Sequence, residues 1–294
     1  MALAVVLASC SSNGNPLDTG DAVANGSTVT IGSQGSSESE ILAQVYGQVL
    51  ADAGYSVEFN VSIGTRESFL AALRDGSIDL VPDYAGNLLY GTDPNATATT
   101  IEDIRAALPD ALEPEGLVAL DPAAAEDTDA LVVTAEFAAA NGLVSIGDLA
   151  PIASTVTLGA NSGFEARWSS RLNTTYGVTG LTFATIEDFG GADTLQQLLD
   201  NAIHVADIYS SAPSIRANNL VVLEDPKNLF PAQNVIPLLD AELYSDELAA
   251  LLNAVSAALT TSELIGLNER YAEDDNPTAA AVATEWLTAK GFVG

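Results

Sequence analysis

The chain has 294 residues, of which 48% are hydrophobic and 6% aromatic, so it is long enough and apolar enough to bury a core in each of two lobes. Only 9 Lys and Arg residues oppose 40 Asp and Glu residues, and the net charge is −31 at pH 7. A surface of this charge repels nucleic acid and anionic lipid, which excludes both as expected partners. It does not identify a substrate, because most of these carboxylates are expected on solvated faces.

The first 27 residues contain Cys10, the only cysteine in the chain. Cys10 follows the short apolar run Ala2 to Leu7 and precedes a tether rich in Gly, Asn and Ser. This arrangement resembles the lipobox of bacterial lipoproteins, in which the cysteine is lipidated after cleavage. The run is too short to span a bilayer, and no Lys or Arg precedes it. We expect a lipid anchor at Cys10 and a position outside the cytoplasmic membrane, the alternative being a free buried thiol.

The next elements alternate between strand and helix patterns. Residues Thr28 to Gly32 and Val57 to Val61 are typical of strands. Between them a helix is predicted from the cap at Ser36 to about Ala53, and its N-terminus lies under the turn Ser33 to Gly35. A second helix begins at Thr65 and is closed by Gly76, which tolerates a positive φ.

The segment from Gly76 to Gly91 has the pattern of a ligand site. Ile78 to Val81 is a short apolar run typical of a buried parallel strand, which Pro82 is expected to end. Asp83, Tyr84, Gly86 and Asn87 follow. Open α/β sheets bind ligands at the carboxyl ends of their strands, so we predict a binding site here.

The same pattern recurs in the second half of the chain. Tyr84 and Tyr209 are 125 positions apart, and the same offset pairs Leu70 with Leu195, Leu73 with Leu198, Asp75 with Asp200 and Ile78 with Ile203. Upstream, VTIGSQGSSE and VTLGANSGFE match at an offset of 127, which pairs Gly32 with Gly159, Gln34 with Asn161 and Glu38 with Glu165. The repeat predicts two similar lobes, the alternative being chance similarity in a chain rich in Ala and Leu.

The rest of the chain completes two lobes joined by two crossovers. We predict a helix over Thr99 to Leu112, a strand near Leu117, a first crossover from Asp129 through ALVVT, and a return crossover at Val235 to Leu238. In the second lobe, strands are expected at Val156, Leu181, Ile203 to Ile208 and Leu220 to Leu223, with helices at Phe164 to Tyr176 and Ala192 to Asn201. From Ala241 to Phe292 the pattern is helical, with breaks at Thr260 and Asn276. The lobes would then comprise 28–128 with 236–294, and 129–235, preceded by 1–27 as signal and tether.

The residues needed for common catalytic chemistry are missing. The only histidine, His204, lies inside a predicted strand, so zinc and Cys/His sites have no second ligand. No P-loop, G-x-G-x-x-G or G-x-S-x-G motif is present. The acidic runs at Glu126 and Glu273 lack EF-hand spacing. We therefore expect neither an enzyme nor a bound metal or cofactor.

Tyr84 and Tyr209 are the best candidates for binding. At equivalent strand ends of two lobes, their rings would face each other across a cleft and hold a quaternary ammonium by cation–π contact. A cleft of this kind closes by a hinge around its solute. The alternative is that both are core tyrosines.

Several of these segments resemble the glycine betaine/choline-type (osmoprotectant) solute-binding proteins of bacterial ABC importers. The family pattern strand-G-S-(K/Q)-x-x-x-E is similar to Ile31 to Glu38, and G-x-(I/V)-D-L-x-P-E-Y-T-G-T is similar to Gly76 to Asn87. The segment L-V-V-L-E-D-D-K-x-x-F-P-P-Y is similar to Leu220 to Gln233. The resemblance extends from about Thr28 to Gly294 and implies the α/β, two-lobed type II periplasmic-binding fold, with a helix-flanked sheet in each lobe and two crossover strands.

The resemblance also implies a set of ligand-binding residues. The family surrounds a trimethylammonium group with an aromatic box, of which Tyr84 and Tyr209 match two walls. The two other expected tyrosines are replaced by Asp129 and Gln233. Four further positions match ligand contacts of the family: Gln34 at the polar end of the ligand, Glu67 where members carry Asp or Thr, Asn87 in place of threonine, and Arg167 as an anchor for a carboxylate.

These replacements change the expected ligand. Two carboxylates, Asp129 and Glu67, beside a half-built aromatic box favour a cation, and they suit the carboxylate of betaine only if Arg167 counters them. We expect a small quaternary amine as ligand, with choline-like solutes preferred to glycine betaine, delivered by a monomeric protein to an importer permease. A polyol or an amino acid remains an alternative, because the same fold serves many ligands.

Overall fold

The computed structural model describes residues 28–294, and Cys10 with the predicted tether lies outside them. The first sheet contains five strands: β1 (Thr28–Gly32), β2 (Ser56–Asn60), β3 (Leu80–Tyr84), β4 (Leu117–Ala119) and β10 (Val235–Asp240). Their order is β2-β1-β3-β10-β4. Strands β1, β2 and β3 run parallel to one another, whereas β10 is antiparallel to both of its neighbours.

The second sheet repeats this arrangement with β5 (Leu131–Thr134), β6 (Thr157–Ala160), β7 (Thr182–Thr185), β8 (Val205–Asp207) and β9 (Leu220–Val222). Its order is β7-β6-β8-β5-β9, in which β5 is the antiparallel strand. Each sheet therefore has three parallel strands, then one antiparallel strand, and then a short edge strand. The antiparallel strand follows a crossover from the other lobe. The predicted two-lobed α/β architecture is confirmed.

Helices cover both faces of each sheet. Those on the first sheet are α1 (Ser37–Asp52), α2 (Arg66–Arg74), α3 (Ala85–Thr92), α4 (Ile101–Leu112), α9 (Asp246–Ala258), α10 (Thr261–Tyr271) and α11 (Ala279–Lys290). Those on the second sheet are α5 (Ala135–Asn141), α6 (Ser162–Tyr176), α7 (Ala192–Leu199) and α8 (Pro213–Ala217), with 3-10 helix Ile146–Thr155. We call each sheet with its helices a lobe. The C-terminal helices bury their apolar face on α1, as the sequence predicts.

The predicted end of the third strand at Pro82 is wrong. Strand β3 continues to Tyr84, because Pro82 lies opposite Pro237 of β10, at a pairing position where neither residue supplies an N–H. Helix α3, which begins directly after Tyr84, is also absent from the sequence prediction. The glycine and asparagine residues of this segment favour a loop by propensity, but burial of Leu88 and Leu89 stabilises the helix.

The repeat appears in backbone and side-chain contacts. Gly76 and Asn201 follow equivalent helices with φ of 74° and 56°. Asp79 Oδ2 accepts the N–H of Thr30 at 2.7 Å, and His204 Nδ1 accepts the N–H of Thr157 at 3.0 Å. His204 therefore fastens two strands, which agrees with its prediction as a structural residue of the strand.

The two crossovers pair with each other where they pass between the lobes. Val235 donates its N–H to Ala125 O at 2.9 Å, and Asp127 donates its N–H to Gln233 O at 3.2 Å. Beyond this short ribbon, each crossover segment enters the sheet of the other lobe. The connection between the lobes is thus a two-stranded segment, which is the geometry of a hinge.

Among residues 28–294 no single helix is long and apolar enough to cross a membrane. Only α9 and α10 taken together, with a bend of 84° between them, reach that length and composition.

Candidate functional site at the junction of the lobes

A short antiparallel ladder carries the polar residues of the second lobe. Leu131 pairs with Asp207, and the register continues because Ile208 and Ser210 donate their N–H groups to Ala130 O at 3.0 Å and Thr128 O at 2.9 Å. This register places Asp129 opposite Tyr209. Side chains alternate between the two faces of a ladder, so Asp129, Tyr209 and Asp207 share one face.

The next pair of the ladder lies at the hinge. Ser211 Oγ donates to Asp127 Oδ1 at 2.6 Å, and Thr128 N–H donates to Ser210 Oγ at 3.0 Å. The ladder therefore brings three aspartates, at positions 127, 129 and 207, onto one face within a few residues of the crossover.

Burial raises the pKa of each of these three carboxyl groups above the ordinary value of an aspartate. It raises the pKa of Asp127 to about 7, helped by the charge of Glu38. It raises the pKa of Asp207 to about 8, helped by the charge of Asp129, while Arg167 opposes the shift. The pKa of Asp129 is also raised by burial, against Arg167 and a hydrogen bond from Trp168. A cation bound beside these carboxyl groups would favour their ionised form.

Trp168 fixes the orientation of Asp129. Its indole Nε1 donates to Asp129 Oδ2 at 3.2 Å, and its ring meets Phe230 edge to face with 5.2 Å between centroids. The guanidinium of Arg171 lies 5.0 Å from the centre of the indole ring, and that of Arg167 lies 5.7 Å from it. These contacts hold one carboxylate oxygen in place and leave the other, Oδ1, without a partner.

Tyr84, at the end of β3 in the first lobe, is a neighbour of Asp127. Its hydroxyl donates to Glu38 Oε1, and the second oxygen of Glu38 accepts from Asn268 Nδ2 at 2.5 Å. Burial raises the pKa of Tyr84, with further contributions from Glu38 and Asp127. Asp127 likewise contributes to the raised pKa of Tyr209, about 12, after burial and the charges of Asp129 and Asp207. Both tyrosines therefore have Asp127 as a charged neighbour.

Asp83, at the same strand end as Tyr84, is fully paired. Arg66 binds it with both Nε, at 2.9 Å, and a terminal nitrogen, at 2.6 Å. Gln34 Nε2 donates to the same carboxylate at 2.8 Å. Gln34, predicted as a ligand contact, is thus part of a closed group of three side chains.

The remaining predicted residues divide into buried and exposed. Gln233 is buried, and its Oε1 accepts the N–H of Asn87 at 3.0 Å, whereas the Asn87 side chain is exposed on α3. Glu67 is exposed on the first turn of α2. Arg167 is exposed on α6, where its Nε donates to Gly163 O at 3.2 Å. Tyr84 and Tyr209 therefore share Asp127 as a neighbour, Asp129 lies beside Tyr209, and Glu67, Asn87 and Arg167 are exposed.

Four buried side-chain atoms in residues 28–294 have no hydrogen-bond partner: Asp129 Oδ1, Asp207 Oδ1, Asn161 Nδ2 and Asn234 Oδ1. Three belong to the second lobe, at the ends of neighbouring strands or at the crossover. Buried polar atoms are ordinarily paired, so this group of two acceptors and one donor is a candidate ligand surface.

Sequence reasoning did not select Glu38, Asp127, Trp168 or Asp207 as site residues. One signal for Asp207 was available, since it is the single acid within the apolar run Ile203 to Ile208. Glu38 recurs in the repeated VTIGSQGSSE pattern, but its partner Glu165 is exposed on α6.

Comparison with known proteins places this geometry in a family. Residues 27–289 match the model described as the substrate binding domain of ABC-type glycine betaine transport system. The glycine betaine-binding protein YehZ of Escherichia coli K12 is 26% identical over 281 residues, which cover 90% of this chain and 92% of that protein. A glycine-betaine-binding protein of Pseudomonas aeruginosa is 25% identical over 285 residues, covering 90% of this chain and 88% of that protein.

Solved structures have the same fold. A crystal structure described as a glycine betaine/carnitine/choline ABC transporter superposes with a TM-score of 0.82 at 23% identity, over 90% of this chain and 98% of that one. Apo YehZ superposes with a TM-score of 0.76 at 25% identity, over 91% of this chain and 100% of that one.

Proposed function

The chain belongs to the family of substrate-binding domains of ABC-type glycine betaine transport systems, and from this premise we propose that its ligand is a quaternary-ammonium solute with a net positive charge. Choline-like solutes are preferred to glycine betaine. Substrate-binding proteins of ABC importers work outside the cytoplasm and capture solute without altering it. The protein is accordingly proposed to be a binder and not an enzyme.

One observation carries the ligand proposal. Tyr84 and Tyr209, from opposite lobes, share Asp127 as a neighbour at the hinge, and Asp129 and Asp207 also act on Tyr209. An onium group between the two aromatic rings would be bound by cation–π contact and would favour the ionised form of these carboxyl groups. The carboxylate of glycine betaine would lie beside the same groups, and Arg167, the cation that acts on Asp129 and Asp207, is exposed.

Capture is proposed to occur by closure of the two lobes about the paired crossovers. The ribbon would bend while each sheet moves as a unit. It is formed by one crossover segment at Ala125 to Asp127 and by the other at Gln233 to Val235. Contacts that bridge the lobes, such as Arg216 of α8 with Glu269 of α10 at 3.0 Å, lie in the path of this motion. The closed form would be delivered to the importer permease.

The proposal is tested by calorimetry and thermal unfolding of the chain from about Ser11 onward, with choline, glycine betaine, carnitine, polyols and amino acids. A ligand at about 100 times its Kd raises the free energy of unfolding by about 2.7 kcal/mol, which gives a clear rise in midpoint. Choline is expected to give the largest rise. Tyr209→Ala is expected to lower choline affinity at least about tenfold, whereas Tyr244→Ala, at an exposed position on the first lobe, is the matched control and leaves it unchanged.

A second candidate is a different polar solute, such as a polyol or an amino acid. The specific observation in its favour is that Asp129 and Gln233 stand where the resemblance implies two further tyrosines. A midpoint rise with polyols or amino acids, and none with quaternary amines, would replace the first candidate by this one.

Attachment and assembly form a separate part of the proposal. Cys10 is proposed to carry the lipid that holds the mature protein at the outer face of the cytoplasmic membrane, as a monomer. Metabolic labelling with a fatty acid is expected to mark the wild-type chain and not Cys10→Ser, and light scattering of the chain from Ser11 is expected to give the monomer mass. Equal labelling of both forms would exclude the anchor.

A further inference from the structure

Asp207, which is buried, and Asp129, which is half-buried, are two carboxyl groups of the second lobe, and the charge of Asp129 raises the pKa of Asp207. A hydrogen bond from the backbone N–H of Ala130 opposes this rise. Asp207 is 3% exposed, and its Oδ1 has no partner in the described part of the chain. Asp129 lies on the same face of the ladder, two pairs further along, and its Oδ1 is likewise unpaired. A buried carboxylate oxygen without a donor is costly, so each of these oxygens needs a proton, a water molecule or a ligand.

The surroundings do not supply a neutralising charge. Asp127 and the hydroxyl of Tyr209 face the pair from the ladder itself, and both add negative charge or none. Arg167 on α6 is the cation that acts on both carboxyls, but its side chain is exposed and donates to Gly163 O. Trp168 occupies only the other oxygen of Asp129. The pair therefore keeps an excess of negative charge whenever both groups are ionised.

We propose that Asp129 and Asp207 form a carboxyl pair that holds a proton in the free protein and exchanges it for the positive charge of the solute, which makes Asp207 a ligand-binding residue. On capture, the O–H bond of the protonated carboxyl breaks and the proton leaves to solvent, while the cation takes its place beside the two carboxylates. The inference rests on the proposed function, because it requires a cationic solute at this site.

Two properties of the site follow from this exchange. A solute with a free carboxylate would leave the pair protonated and gain no charge interaction, so zwitterions bind more weakly than cations. A hydroxyl on the cation can donate to one of the unpaired oxygens, which quaternary groups without O–H or N–H cannot do. Burial and the charge of Asp129 raise the pKa of Asp207, against Arg167 and the backbone N–H of Ala130, which agrees with a proton held by this pair in the free protein.

The test is isothermal titration of the chain from Ser11 with choline, at one pH in phosphate and in Tris, whose ionisation heats differ. Proton release is expected to make the observed binding enthalpies differ between the buffers. Choline affinity is expected to rise by up to about tenfold per pH unit from about pH 6 to about pH 8, because deprotonated carboxyls bind the cation, and then to level off. Glycine betaine is expected to show a smaller buffer difference.

Variants locate the exchange. Asp207→Asn is expected to lose about tenfold or more in choline affinity and to abolish the buffer difference. In the absence of ligand it is expected to unfold at the same or a higher temperature, because it replaces a buried acid by a neutral side chain and removes the repulsion with Asp129. Asp129→Asn is expected to lower choline affinity and proton release in the same way. Asp200→Asn, which removes an exposed acid from the same lobe, is the control and is expected to behave as wild type.

The outcomes separate this inference from the function on which it rests. Choline binding with equal enthalpies in both buffers and flat pH dependence would overturn the proton exchange and leave the importer function standing. Normal choline affinity in a folded Asp207→Asn variant would remove Asp207 from the site. Failure of the wild-type chain to bind any quaternary amine would overturn both proposals together.

Discussion

The two lobes share one architecture and differ in how their polar groups are paired. In the first lobe, Asp83 at the end of β3 is bound by Arg66 and Gln34, and Glu38 is bound by Tyr84 and Asn268. In the second lobe, Asp129, Asp207 and Asn161 each keep one buried atom unpaired. The same scaffold is therefore electrostatically complete on one side of the hinge and incomplete on the other. From this difference we expect the polar groups of the first lobe to keep their partners on binding, and those of the second lobe to gain partners from the ligand.

The largest expected effect concerns the paired carboxylate of the first lobe. Arg66→Met removes both hydrogen bonds to a buried aspartate, and leaving a buried charge without its partner costs about 3–5 kcal/mol. Urea unfolding is expected to show this loss. Arg74, on the same helix as Arg66, forms a partly exposed pair with Glu115 in the segment after α4, and Arg74→Met is expected to change stability by no more than about 1 kcal/mol. Equal effects in the two variants would contradict the view that the first lobe is held by its internal ion pair.

The next effect tests the likeness of the lobes. A Cβ at Gly32 would lie 2.6 Å from Cδ1 of Ile78, and one at Gly159 would overlap with Cδ1 of Ile203. Gly32→Ala and Gly159→Ala are each expected to destabilise the protein by about 1–3 kcal/mol through overpacking. Thermal unfolding measures both, with Gly35→Ala, which points into open space, as control. If only one of the two variants lost stability, the two glycines would not have equivalent packing roles in the two lobes.

A smaller effect compares ligand contacts across the hinge. Asp129→Ala is expected to weaken choline binding at least about tenfold, or about 1.4 kcal/mol, because it removes a carboxylate held toward the site by Trp168. Tyr84→Ala is expected to weaken it at least about tenfold as well, and Tyr84→Phe less, because the ring is kept. Titration calorimetry gives the affinities. Unchanged binding in both alanine variants would place the ligand elsewhere.

The comparison also predicts a dependence of stability on pH. The folded pKa values of Asp127, about 7, and Asp207, about 8, lie above the unfolded value of about 3.9, so the folded state holds more protons between these limits. The contribution of these groups is complete below about pH 4 and is lost as pH rises through about 7 to 8. The unliganded chain is therefore expected to unfold at lower temperature at pH 8.5 than at pH 5.5, as measured by calorimetry. Asp207→Asn is expected to reduce this slope, and an unchanged slope would exclude Asp207 as its source.

The sequence predicts the lobes better than the site, for physical reasons. Hydrophobic periodicity and the glycines that end helices are local signals, and they correctly place both sheets and the C-terminal helices. The continuation of β3 past Pro82 depends on a partner strand more than 150 residues away, because only the pairing with Pro237 removes the need for an N–H.

The site residues depend on contacts that no local pattern encodes. In a chain with 40 acidic residues, Asp207 is one acid among many until β8 pairs with β5 and buries it. Gln34 shows the opposite case, since the sequence predicts it as a ligand contact. In the structure it binds the carboxylate of Asp83 together with Arg66, which no sequence pattern selects. Tyr84 and Tyr209 could be selected as candidates from the sequence because their surroundings repeat at a fixed offset.

A crystal structure of the chain with choline bound would test the division between the lobes most directly. We predict the onium group between Tyr84 and Tyr209, with the unpaired oxygens of Asp129 and Asp207 in contact with the ligand and the Arg66–Asp83–Gln34 group unchanged. A ligand bound by Asp83 after displacement of Arg66, with Asp129 and Asp207 still unpaired, would contradict it.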